Sequence, residues 1–369
     1  MKYYIIAGEA SGDLHGSNLI HALHEEDKNA NIRFWGGDKM AEAGGTLVKH
    51  YSDLAFMGFW EVFVNLRTIL KNIRFCKQDI LAFQPDVIIY IDYPGFNMRI
   101  AEWAKNKGFK NHYYISPQIW AWKENRIKKI KRDIDALYVI LPFEKKYFSQ
   151  KHQYDVTFVG HPLIPVIQKE LALNDKEVPE SLHTNKQIVA LLPGSRKQEI
   201  RKMMPLFLSI IQDFPNQQFV VAGAPGISPD WYEQFTINPS VSILHNQTHT
   251  LLKHSHVAIV TSGTATLETA LFKVPQMVCY RSSRLSYAIA KRIIKLAHIS
   301  LVNLIMNKTV VKELIQDNCT SANISSELMQ LLMEENRSKI KKEYNQLEKI
   351  LGQKNASKQV ALLITKAIM

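Results

Sequence analysis

The sequence is poor in the features that mark several large protein classes. Its 369 residues hold only three cysteines, Cys76, Cys279 and Cys319, far apart, with no CxxC pair and no histidine pair nearby. That argues against a disulfide framework or a structural zinc site. Buried or incidental thiols are the simpler reading. No apolar run reaches the roughly 18 residues that span a bilayer. The run Tyr-Tyr-Ile-Ile-Ala after Lys2 is too short for a signal-peptide core and reads as a first strand, so the chain is expected to stay in the cytoplasm. There is neither a GxGxxG fingerprint nor a P-loop, so no dinucleotide cofactor or ATP is indicated. Internal repeats and low-complexity tracts are also missing.

What is present is a full globular composition, 46% hydrophobic and 22% charged. The formal net charge is +12, which attracts polyanions: nucleic acid, anionic lipid or phosphorylated substrates. A basic nucleic-acid-binding protein would show steep salt-dependent binding. No RRM, KH or helix-turn-helix signature supports that class, and no nucleic-acid partner is expected.

Short apolar runs alternate with helical patterns. Tyr3–Ala7, Asp86–Ile91, Asn111–Ile115, Ala136–Leu141 and Asp155–Val159 read as buried parallel strands, with helical stretches such as Asn18–Glu25 and Arg99–Lys107 between them. The pattern restarts with Gln187–Leu192, Gln218–Ala222, Val241–Leu244, Val257–Val260 and Gln276–Cys279. This predicts an α/β chain with two Rossmann-like doubly wound domains facing across a cleft, the ligand lying at strand carboxyl ends. The expected division is 1–165, 166–345 and a C-terminal helical segment, 346–369, packing back on the first domain or on a partner subunit.

Five turns carry candidate chemistry. Gly8, Gly12 and Gly16 follow the first strand and open a helix, where backbone can approach a phosphate or sugar oxygen; Ser11, Asp13 and His15 cluster with them. A tight structural turn is the competing reading. Asp92 ends a strand, where a carboxylate can serve as general base or merely as a cap. Trp120 and Trp122 precede a basic helix (Lys123, Arg126, Lys128, Lys129, Lys131, Arg132) and suit either a sugar, an interface or the core. Asp133 and Asp135 in that stretch have DxD spacing but read as structural. In the second half, the turn Pro193-Gly194-Ser195-Arg196 suits a diphosphate, with backbone donors and a guanidinium. The run Ser262, Gly263, Thr264 opens a helix whose dipole favours an anion, and Glu268 one turn in can accept from ribose hydroxyls. A plain capping motif is the alternative.

A sixth feature is lipophilic. Phe59, Val62, Phe63, Leu66, Leu70 and Ile73 recur at helical spacing beside Arg67, Lys71, Arg74 and Lys77. The stripe fits a core helix or a peripheral membrane element. Leu285–Leu296 is a second such stretch.

Eight ordered motifs, GEASGDLHG, IDxPxFN, SPQIWAWKxxRIxKI, LPFE, FVGHPL, LLPGSRxxEI, SGTATLE and YR…LVNL, resemble the bacterial lipid-A-disaccharide synthase family over about residues 3–320. The resemblance implies a GT-B fold and an inverting transfer without metal or redox cofactor. The donor would be UDP-2,3-diacylglucosamine, the acceptor 2,3-diacylglucosamine 1-phosphate (lipid X), and the products the β-1,6-linked disaccharide 1-phosphate and UDP. It also implies peripheral attachment to the inner-membrane surface and a homodimer exchanging C-terminal segments. Gly8, Ser11 and Gly12 would contact substrate; Arg196, Ser262, Gly263, Thr264, Glu268 and Asn303 match UDP-side positions. Phe59, Val62, Phe63, Leu66 and Leu70 would meet acyl chains. One departure is Gly95, where the family's I-D-x-P-D-F-N motif carries its second aspartate. The expected base is therefore Asp92, or Asp13 with His15. The runner-up is another GT-B enzyme with a UDP-N-acetylglucosamine-type donor, a muramyl-type transferase or an epimerase.

Overall fold

In a computed structural model of the chain, every residue is described except 55–65, 174–177, 236–240, 284–286, 288–296, 353 and 369. The chain forms two compact units: residues 1–162 with 351–369, and residues 163–350.

The first unit is a seven-stranded parallel sheet. Its strands are β1 (Lys2–Ala7), β2 (Asn31–Gly36), β3 (Thr46–His50), β4 (Val87–Ile91), β5 (Asn111–Tyr114), β6 (Ala136–Val139) and β7 (Thr157–Phe158), in the order β3-β2-β1-β4-β5-β6-β7. The central strands are apolar on both faces because helices cover both: all five residues of β4 are buried. Winding reverses between β1 and β4, which pair directly, Ala7 opposite Ile91. The loops after these two strands therefore diverge and leave a crevice at their carboxyl ends.

One face of this sheet presents Tyr3, Ile5 and Ala7 to two helices. Helix Ala10–Glu26 contributes Leu19, Ile20 and Leu23, and helix Ala356–Ile368 contributes Ala356, Val360, Ala361 and Ile364, all fully buried. The 360, 361, 364 spacing is one apolar stripe of a helix. Thus the C-terminal segment completes the core of the first unit. The strand-to-loop passage at Gly160 is tight: φ is +89°, and a Cβ there would lie 3.0 Å from the Lys354 carbonyl oxygen. The other face sets Tyr4 and Ile6 against Ile73, Cys76 and Ile80 of helix Leu66–Phe83 and Ile100, Ala101 and Ala104 of helix Pro94–Asn106. A satisfied polar chain crosses that face. Trp35 Nε1 donates to Tyr4 Oη (2.8 Å), Tyr4 donates to Asp79 (2.7 Å), and Arg33 grips the same carboxylate at 2.8 and 2.6 Å.

The second unit repeats the topology with six parallel strands: β8 (Gln187–Leu192), β9 (Gln217–Gly223), β10 (Val241–His245), β11 (Val257–Thr261), β12 (Gln276–Tyr280) and β13 (Glu313–Ile315). Their order, β10-β9-β8-β11-β12-β13, reverses between β8 and β11. Its core gathers Val189, Leu191, Phe219, Val221, Ile259 and Met277 around the sheet. All three cysteines are buried free thiols. The ten strands expected from apolar runs are present; β2, β3 and β13 are additional, and the expectation omitted them.

Among the described residues no helix is long and apolar enough to cross a membrane. The lipophilic residues Phe59, Val62 and Phe63, most of the 56–74 stretch and nearly all of 285–296 lie outside the described residues.

Ile364→Ala leaves a hole between helices and sheet that no other side chain fills. It is expected to cost about 2–5 kcal/mol, read as a lower denaturant midpoint at unchanged slope.

Candidate active site

Asp92 and Tyr93 follow β4, and both adopt left-handed backbone, with φ of 44° and 48°. Two such non-glycine residues in succession store strain and need fastening. The fastening is polar: the Asp92 carbonyl accepts from Asn97 Nδ2 at 2.7 Å and from Tyr113 Oη at 2.5 Å. Asn97 is fully buried and also reaches the carbonyls of Ile6 and Ile91, tying the ends of β1 and β4 together. With its carbonyl committed, Asp92 has its side chain for chemistry. Burial pushes its carboxyl up to about 6, the negative charge of Glu9 adds to that, and the Tyr93 N–H opposes it. A carboxylate in that range suits a general base near neutral pH.

Gly8 serves this turn. A Cβ at Gly8 would lie 2.3 Å from the Tyr93 ring, so only glycine admits the ring. Gly12 and Gly16 likewise make room for Ala7 and Met40. These three glycines thus have a packing reason of their own, beside the expected approach of backbone to a ligand. The helix N-cap is Glu9, whose carboxylate stands beside Asp92. Two anionic groups there disfavour phosphate and favour hydroxyl-bearing ligands.

Asp13, expected as a base with His15, has a structural task. It is 4% exposed, and its two oxygens accept from the backbone N–H of Gly37 (2.7 Å), Met40 (3.1 Å) and Lys39 (3.2 Å). Three of the carboxylate's roughly four acceptor sites cap that turn. His15 has no partner for Nδ1 among the described residues, and burial lowers its imidazole to about 4. Buried His161 is lowered to about 3, in part by His15. Both rings are neutral at pH 7, and each is a weaker base than Asp92. Ser11 is exposed on the first turn of helix Ala10–Glu26.

The tryptophan motif splits in two. Trp120 donates to Glu144 Oε1 (3.1 Å) and meets Phe143 edge-on at 4.9 Å, so it is an anchor. Trp122 is 42% exposed, with Lys123 and Arg126 over its ring at 4.4 and 5.2 Å. Glu144 itself was not singled out in the sequence, where it appears only inside LPFE. It is fully buried, accepts from the Leu141 N–H at 2.9 Å, and burial pushes it up to about 7, with Asp92 adding to the rise. Asp133 and Asp135 are tied internally, to Arg132 and to the Asn111 N–H, as a structural pair.

In the second unit the carboxyl ends of β8 and β11 carry the two anion turns. Gly194 takes φ +121°. Two backbone donors of that turn meet one carboxylate oxygen: Glu199 Oε2 accepts from Ser195 N (3.2 Å) and Arg196 N (3.3 Å). These bonds form a capping box on helix Lys197–Leu208, and the Arg196 side chain is exposed beside it. After β11, Gly263 and Thr264 are exposed at the start of helix Ala265–Leu271, and a Cβ at Gly263 would meet nothing within 4 Å. Ser262 is turned away, its hydroxyl donating to the Ile299 carbonyl at 3.2 Å. Glu268 is part-exposed in the first turn of that helix.

Asn303, expected on the UDP side, is part of the fold's internal bonding. It is fully buried, its amide donates to Val311 O (2.9 Å) and Glu313 Oε1 (2.8 Å), and its oxygen accepts from Val310 N (2.8 Å) and Val311 N (3.0 Å). All four bonds are spent on holding the segment that leads into β13.

The sequence profile described as lipid-A-disaccharide synthetase matches residues 3–367. The chain is similar to the lipid-A-disaccharide synthase of Trichlorobacter lovleyi, 36% identical over 100% of this chain and 97% of the relative. It is similar also to that of Coxiella burnetii, 37% identical over 99% and 98%. Among solved structures, a glycosyltransferase of kitacinnamycin aligns with TM-score 0.70 at 12% identity, covering 99% of this chain and 98% of that one. The UDP-GlcNAc 2-epimerase of Neisseria meningitidis bound to UDP-GlcNAc aligns at 0.62 and 14%, covering 99% and 100%. At such identities the likeness establishes the two-unit GT-B fold.

Gly95 is exposed at the second position of helix Pro94–Asn106, and a Cβ there meets nothing within 4 Å. Gly95→Asp therefore adds a helix former and a negative charge at a positive helix end. It is expected to raise stability by about 0.5–1 kcal/mol. Gly8→Ala drives a methyl into the Tyr93 ring and is expected to lower stability; thermal midpoints of the two variants check both signs.

Proposed function

The chain belongs to the lipid-A-disaccharide synthase family, and on that premise we propose that it joins UDP-2,3-diacylglucosamine to 2,3-diacylglucosamine 1-phosphate with inversion. It is a glycosyltransferase of lipid A biosynthesis; the proposal adds the two substrates, the stereochemistry and the residues. The acceptor 6-hydroxyl oxygen forms the bond to the donor anomeric carbon. The bond from that carbon to the β-phosphate oxygen breaks, UDP leaves with the electron pair, and the hydroxyl proton passes to a base.

Asp92 is the base in this reading, and its placement is the observation that carries it. It stands at the winding reversal of its sheet, in a strained turn with its carbonyl tied off, and its carboxyl is raised to about 6. Asp13 drops out because its oxygens cap a turn, and His15 ranks below Asp92 because its imidazole is lowered to about 4. On the donor side, Arg196 and the turn Gly263-Thr264 offset the charge building on the departing diphosphate, and Glu268 accepts from the ribose. Ser262 and Asn303 shape the wall behind them.

The acyl chains of both substrates call for a lipid-facing surface. Helix Leu66–Phe83 exposes Leu70, Phe75 and Leu81, at 54, 44 and 42%, among exposed Arg67, Lys71 and Arg74. That mixture supports peripheral attachment to an anionic membrane surface, the inner membrane of the cell, and the homodimer that the family resemblance implies is part of the same reading.

Asp92→Asn is expected to lower kcat at least about a hundredfold, with His15→Ala losing less. Near-normal turnover in Asp92→Asn would remove it as the base. The assay is thin-layer separation of the disaccharide formed from both diacyl substrates in detergent micelles; folded protein that yields no disaccharide would refute the substrate assignment.

The pH dependence follows from the same group. Asp92 works deprotonated, so kcat/KM is expected to fall about tenfold per unit below pH 6 and level off above it. Its effect on folding has the opposite sense. A carboxyl raised in the fold contributes stability that is present below its ordinary value of 3.8 and is lost as pH rises through about 6. Asp92→Asn is accordingly expected to melt higher than the parent at pH 8.

A further inference from the structure

Glu268 has a neighbour that the donor-site reading leaves unused. The helix Thr248–His254 follows β10 and packs across β9 and β8, and it carries His249. His249 Nε2 lies 2.8 Å from Glu268 Oε1. The far side of the imidazole rests on the ring of buried Phe272, with centroids 5.1 Å apart and planes tilted by 44°. The hydrogen bond to Glu268 raises the imidazole's proton affinity, with Glu170 adding to it, and burial and Lys253 opposing.

This pair is a poor device for stability. Its side chains are 29% and 24% exposed, and ion pairs open to water contribute little. Its geometry is better suited to orientation. A glutamate has three rotatable bonds, and a carboxylate that must accept from a vicinal diol has to present one oxygen at a fixed angle. Oε1 is taken by His249, and Oε2 meets no other group among the described residues. Fixing one oxygen before the ligand arrives removes ordering cost from the binding step.

We propose that His249 is a positioning residue for the donor's ribose: it pins Oε1 of Glu268 so that Oε2 accepts from the ribose hydroxyls. This rests on the reading of Glu268 as the ribose contact. His249 touches no reacting atom, so its effect falls on donor binding and not on the chemical step.

The test compares UDP with 2′,3′-dideoxy-UDP by calorimetric titration of the full-length protein, its His249→Ala, His249→Gln and Glu268→Ala variants, beside the donor KM and kcat. The wild type is expected to prefer UDP. In His249→Ala that preference should shrink about fivefold, the equivalent of one net hydrogen bond, through weaker UDP binding, while dideoxy-UDP binding stays as it was. Donor KM should rise by the same factor with kcat within twofold, and His249→Gln, which keeps an N–H donor, should recover most of the loss. If His249→Ala weakens both nucleotides equally, or neither, while Glu268→Ala abolishes the preference, the role of His249 is overturned and the ribose reading stands. If Glu268→Ala keeps the wild-type preference, the ribose reading fails and the inference with it.

Discussion

The first unit of the molecule depends on a turn that the backbone disfavours. Asp92 and Tyr93 both occupy left-handed conformations, at a combined cost of a few kcal/mol for non-glycine residues. Two donors on one carbonyl, Asn97 and Tyr113, offset it. Much else follows from that fixed turn. Tyr93 is thrown over the first loop, which forces glycine at position 8. Asn97 must be buried to reach the ends of both β1 and β4, so the sheet's winding reversal and the turn are fastened by one side chain. The Asp92 carboxyl is left half-sheltered next to Glu9, and its proton affinity rises. Strain, packing and acidity here have a common origin.

The second unit uses the same topology with another electrostatic character. Its crevice is edged by an exposed arginine and a helix start, where the first unit's is edged by carboxylates. Much of its polar equipment faces inward. Glu199 closes the turn before its helix, and Asn303 and Glu313 clamp the segment before β13, Glu313 also accepting from the N–H groups of Ile299 and Ser300. A buried amide with every bond satisfied, as in Asn303, is rigid and specific, and the half-buried Glu199 and Glu313 are tied by the same kind of bond. They hold the few exposed groups at fixed places, which is what a transition state of defined charge requires.

The sequence made the buried parallel strands legible because residues covered on both faces leave continuous apolar runs. It hid the strands that break that rule. In β2, Arg33 interrupts the run because its guanidinium is spent on Asp79. The strand β3 has no buried residue and β13 has three residues in all. The site was legible to the level of the loop. Asp92, Arg196 and Gly263 follow strand carboxyl ends, as their position after apolar runs indicated, and Glu268 lies in the helix after Gly263. The roles of Asp13 and Asn303 were not legible, because their partners come from residues 37–40 and 310–313, and only the folded chain brings those N–H groups to them. Glu144 was hidden for a related reason: a glutamate after a proline looks like an ordinary cap until Trp120 is found on its other oxygen.

The helix Ala356–Ile368 closes the core of a unit whose whole sheet precedes position 163. A ribosome releases that unit's sheet long before the helix that covers it, at about 5–20 residues per second. For the roughly ten seconds or more that this interval lasts, the core around Leu19, Ile20 and Leu23 lacks Val360, Ala361 and Ile364. The nascent first unit, with one apolar face bare, is the stage of biogenesis at which a chaperone has most to hold.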